Sequence, residues 1–93
     1  MNESTQNLGV GIALLDRLTN YTLPRLQDLK QRVDAGERLG EEDLDFLREA
    51  MERTGVAHQL VSDDPVSQAL YAKVVQFYHE ITAQGLKNEQ GSR

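Results

Sequence analysis

The sequence predicts an all-α fold: a small antiparallel helical bundle of three helices, or four if the first breaks at Pro24. Three observations predict it. Apolar residues recur at three- and four-residue steps through each long segment. Turn residues cluster at Gly36–Gly40 and at Ser62–Pro65. The apolar set is rich in leucine and valine, with aromatics only 5% of the chain, which suits helix-on-helix packing. At 93 residues without cysteine, the chain is one domain, 1–93, whose small core must hold without disulfides.

The first segment opens with a polar stretch, 1–5, expected to fray, in which Ser4 or Thr5 offers a helix cap. At 100° per residue, Leu8, Ile12, Leu15, Thr19, Thr22, Leu26, Leu29 and Val33 follow one unbroken stripe, with Leu18 and Leu23 in the same arc. Pro24 interrupts the helical pattern but not its phase. An interior proline costs about 3 kcal/mol, through one lost hydrogen bond and crowding of the carbonyl four residues back. A long buried stripe offsets that, so one kinked helix from about Thr5 to Ala35 is expected. The alternative is a new helix capped by Thr22 with Pro24 in its first turn.

Gly36 stands where a helix end needs the left-handed conformation. Glu41, Glu42 and Asp43 then crowd the first turn of the next helix and match its dipole. Leu39 is placed to pack on Leu44 across the start of that helix. The second stripe is Leu44, Leu47, Ala50 and Met51, with Gly55 the expected stop and a short irregular turn over Val56–Val61. Asp64 followed by Pro65 marks the last helix, a cap before a first-turn proline. That helix is expected to run to about Lys87, with a disordered tail over 88–93.

The last helix has an oversized apolar face. Val66, Leu70, Val74, Phe77 and Ile81 make one stripe, and Tyr71, Val75 and Tyr78 a second beside it. Together they cover about half the circumference, where a surface helix needs a stripe of about 100°. Either the helix sits between two neighbours or the second stripe meets another molecule. The first helix has a similar flank in Val10, Leu14 and Tyr21. These six residues are the candidate interface, and tyrosine suits one because its ring is apolar while its hydroxyl tolerates water.

Charge narrows the function classes. The net charge is −5, which opposes binding to nucleic acid or to an anionic membrane. Nine acids stand against three arginines between Glu37 and Asp64, while the rest of the chain is about neutral. Glu41, Glu42, Asp45, Glu49 and Glu52 form a candidate acidic docking face, or else a solvated one. No apolar run approaches the roughly 20 residues of a membrane span. The start, MNESTQN, is acidic and polar rather than leader-like, so a cytoplasmic protein is expected.

Chemistry-bearing motifs fail one by one. His79–Glu80 lacks the second histidine of a helical zinc motif, since Ala83 stands there. A di-iron Glu-x-x-His pair needs a glutamate where Gly55 and Gln76 stand. The loop from Asp34 to Asp45 misses most calcium-ligand positions. There is no cysteine nucleophile, serine elbow or phosphate loop. Gly9 and Gly11 lie within a helical pattern, where they allow close helix approach or weaken the first turns. The expectation is a non-enzymatic protein–protein interaction module without cofactor, a small regulator or assembly factor acting as a homodimer or on another protein. The competing expectation is a ligand- or metal-binding bundle using His58, His79 and nearby carboxylates.

Overall fold

A computed structural model describes the backbone over residues 3–91 and the side chains over 9–91. Among the described residues the chain is three helices with no strand. The first is continuous from Glu3 to Asp34. It comprises α1 (Glu3–Arg17), a π-helical turn (Leu18–Thr22) and α2 (Leu23–Asp34). The others are α3 (Glu41–Leu60) and α4 (Pro65–Gly91).

Pro24 therefore lies within one continuous helix and does not break it. The residues flanking the π turn, Arg17 and Leu23, keep right-handed helical dihedrals, and the Leu23 N–H donates to the Leu18 carbonyl five residues back. A wider turn gives the proline ring room where a regular one would jam it against the Asn20 carbonyl. Up to the start of that turn the buried residues, among those described, are Gly11, Leu15 and Leu18. Leu15, Thr22, Leu26, Leu29 and Val33 are buried as the stripe predicts. Gly11 and Leu18 are buried too, while the expected stripe residues Ile12 and Thr19 are exposed. The Thr19 hydroxyl donates to the Leu15 carbonyl at 3.0 Å. Ser4 and Thr5 lie inside α1 rather than capping it, and the side chain of Leu8 falls outside the described residues.

α2 ends as its glycine predicts. Gly36 has φ of 100°, its N–H donates to Val33, and the Glu37 N–H reaches back to Arg32, the paired bonds of a left-handed helix cap. Asp43 accepts the Gly40 N–H at 2.9 Å and so caps the start of α3. It also accepts from both terminal guanidinium nitrogens of Arg32 at 3.3 Å, pinning α2 to α3. That bond, then the Asp43 charge, raises Arg32 above its ordinary value. Lys30, at 2.8 Å from Asp34, is likewise raised, by that hydrogen bond first.

α3 does not stop at Gly55. Thr54, Ala57 and Val61 carry the buried stripe onward, and this burial offsets the glycine's cost of about 1 kcal/mol. Asp64 then caps α4, its carboxylate accepting the Val66 N–H at 2.8 Å. α4 runs past Lys87 to Gly91, so the tail expected to be disordered from residue 88 is helical through 91. The reason is Asn88. Its amide donates to the carbonyls of Val33 and Glu37, tying the last turn of α4 to the cap of α2.

The core is one leucine- and valine-rich cluster: Leu15, Leu18, Leu23, Leu26, Leu29 and Val33 from the first helix meet Leu47, Ala57 and Val61 of the α3 side and Val74 and Ile81 of α4. Two glycines set how closely elements approach. A Cβ on Gly11 would come within 2.7 Å of Val61, and one on Gly85 within 2.5 Å of Leu39. The molecule is a rod, with extents of 59 × 22 × 18 Å and a radius of gyration of 15.1 Å, against about 12 Å for a compact chain of this length.

Candidate protein-interaction surface

Rod shape leaves surface uncovered. The accessible area is 6186 Å², where a folded chain of this mass exposes about 5,400 Å². Part of the surplus lines a groove between α3 and the second half of α4. One lobe, of about 290 Å³, is walled by Leu44, Leu47 and Met51 on α3 and by Tyr78 and Thr82 on α4. The second, of about 320 Å³, is bounded by Leu39, Gly85 and Leu86. The lobes share Leu44 and Thr82, so the groove is continuous. Gly85, lacking a side chain, lets Leu39 sink against α4 and floor it. Thr82 does not make the wall polar, because its hydroxyl donates to the Tyr78 carbonyl at 2.8 Å. Leu44 and Leu86 stand 50% and 58% exposed at its edges, although Leu44 belongs to the stripe expected in the core.

The rim is acidic. Glu52 and Glu89 line the groove. Glu41 and Asp45 continue the Glu52 edge at helical spacing, with Arg48 among them. Asp45 pairs with Arg48 at 3.2 Å and Glu89 with Arg38 at 3.7 Å. Glu41, Glu42 and Glu52 have no cation within 4 Å among the described residues. All five acids of the candidate docking face are exposed. Helical spacing turns Glu42 and Glu49 further from the groove than the other three, and Glu49 faces Arg53 at 3.8 Å.

The structure sorts the candidate tyrosines. Tyr71 stacks on His58, ring centroids 4.5 Å apart and planes 16° from parallel, so its face is occupied within the chain. Val75 is half-buried. Tyr78 packs on the core and walls the groove. The second stripe of α4 therefore closes against α3 at its Tyr71 end and opens into the groove beyond Tyr78. Thr82 and Leu86 extend it at four-residue steps, a continuation that the sequence carries in plain view.

On the first helix, Val10 is 54% and Tyr21 41% exposed, with Leu14 half-buried. The Tyr21 ring lies between two guanidinium groups, Arg17 at 4.6 Å and Arg25 at 5.3 Å from its centroid. Arg25 also donates to the Tyr21 hydroxyl and rests over the Phe46 ring at 4.2 Å.

The two histidines do not meet. His58 lies against Tyr71, while His79 is eight residues further along α4, about 12 Å by helical rise, edge-on to Tyr78. Among the described residues no three of His, Cys, Asp and Glu come together as metal ligands would. Nor is any helix long and apolar enough to cross a membrane.

No protein-family model matches the chain. Neither a characterised protein nor a solved structure is significantly similar to it. Its functional reading rests on the groove and its surroundings.

Proposed function

We propose that this chain is a non-enzymatic protein–protein interaction module, a small regulator or assembly factor, that associates with itself. The observation that carries this reading is the apolar groove between α3 and α4, open to water and edged by two half-exposed leucines. Apolar surface of this kind is stabilised by about 25 cal/mol for each Å² removed from water. Grooves between helices are a recurrent seat for another helix. The acidic rim supplies selectivity and faster encounter more than affinity. A cytoplasmic location is part of the same proposal, and the absence of cysteine is compatible with it.

Light scattering across a hundredfold concentration range tests it. The mass is expected to exceed the 10.5 kDa of one chain and to rise with concentration. Leu44→Asp puts a charge in the groove at a half-exposed position, so the fold is retained while association weakens by about tenfold or more. A single-chain mass throughout, for the unaltered protein, would refute self-association.

A further inference from the structure

The Tyr21 side of the first helix answers the groove. Val10, Leu14, Arg17, Tyr21 and Arg25 form a ridge, apolar towards its N-terminal end and cationic around Tyr21. Neither Arg17 nor Arg25 has a carboxylate within 4 Å among the described residues. Across the molecule, Glu41 and Glu52 on the groove rim are equally without a cation. The chain thus carries unpaired positive charge beside one apolar surface and unpaired negative charge beside the other. Val10 to Arg25 spans about 22 Å of helix, about one turn longer than the groove wall from Tyr78 to Glu89, about 17 Å, so the ridge covers the whole groove.

We propose that the occupant of the groove is the Val10–Arg25 ridge of a second copy of this chain. This deepens the interaction reading above and rests on it. Val10 and Leu14 cover Leu44 and Leu86, and Tyr21 brings Arg17 and Arg25 to the acidic rim. The ridge is set before contact, because the cation–π contacts and the Arg25 hydrogen bond already hold Tyr21 in place. Asp28, one turn beyond Arg25, ends the cationic stretch. A second copy is favoured over a foreign helix because one sequence supplies both complementary halves. The contact joins unlike surfaces, so it is head-to-tail: copies add in series unless the rotation closes a ring.

Two charge-reversed proteins test this. Arg17→Glu with Arg25→Glu alters only the ridge; Glu41→Lys with Glu52→Lys alters only the rim. All four positions are exposed, and circular dichroism with thermal melting checks that each protein stays folded. If Arg25→Glu disturbs Phe46 and the fold, the single changes Arg17→Glu and Glu52→Lys replace the pairs. Sedimentation velocity then measures self-association. Each protein alone is expected to associate at least about tenfold more weakly than the unaltered chain. Mixed in equal amounts, they are expected to associate again with close to the original affinity, because the intact ridge of one meets the intact groove of the other and the two reversed surfaces are opposite in charge. Association undiminished by either reversal would overturn the ridge-in-groove contact and leave the interaction reading standing. Weakening without recovery on mixing would also overturn it. A single-chain mass for the unaltered protein would overturn both.

Discussion

Gly9 and Gly11 are two residues apart in one helix, yet they do opposite work. A Cβ on Gly9 meets nothing within 4 Å, so this glycine costs backbone entropy for no return. A Cβ on Gly11 meets Val61, which is 5% exposed and cannot step aside, and lies 3.2 Å from the Cβ of Leu60. Gly9→Ala is expected to stabilise by about 0.5–1 kcal/mol. Gly11→Ala is expected to destabilise by about 1–2 kcal/mol, because crowding exceeds the propensity gain. Urea unfolding of the two variants checks the signs, and equal signs would contradict the packing of α1 against the end of α3. The sequence offers both roles for these glycines but cannot assign them, since the assignment depends on residues fifty positions away. The same holds for Tyr71. Its place in an apolar stripe is legible, but its stacking on His58 depends on where α3 delivers that ring.

At the level of elements, most of the fold was legible because its signals are local. Gly36 ends α2 and Asp64 with Pro65 begins α4, each through chemistry contained within a few residues. The continuous stripe through Pro24 is also in the sequence, but the π turn is not, so Ile12 and Thr19 were expected on the wrong side by one residue. Long-range ties were equally hidden. Nothing near Asn88 announces that it will bond carbonyls at Val33 and Glu37, and without that knowledge residues 88–91 read as a polar tail. If the π turn exists to absorb one residue beside Pro24, removing both causes should be harmless. Deleting Asn20 together with Pro24→Ala is expected to give a regular α-helix with the buried residues still in register, and an unfolding midpoint no lower than the original. Deleting Gln27 instead, in the regular part of α2, rotates everything before it by about 100° and is expected to cost about 3 kcal/mol or more. Circular dichroism and urea titration distinguish the two.

For the molecule as a whole, the groove is the feature that sequence reading half found. The sequence puts Tyr78 in a second apolar stripe and Glu41, Asp45 and Glu52 on an acidic face, but does not show that Leu44 would be left out of the core. A three-helix rod cannot enclose every apolar residue of so narrow a cross-section, and Leu44, Leu86 and Tyr21 remain at the surface. Covering them with a partner adds stability by mass action. The thermal midpoint is therefore expected to rise as the protein is concentrated from micromolar to millimolar, and the Leu44→Asp protein is expected to lose that dependence. A midpoint independent of concentration would mean that the exposed apolar surface makes no difference to folding.

The path of the chain along the rod has a mechanical consequence. Gly11 touches the residues that end α3, and Asn88 touches the turn that ends α2, so α1 begins near one tip of the 59 Å axis and α4 finishes near the other. Tension applied through the two outermost helices would slide α2 along α4 rather than peel them apart turn by turn. Leu26, Leu29, Val33, Val74 and Ile81 would share that load together, so the rod would resist extension along its axis as a unit.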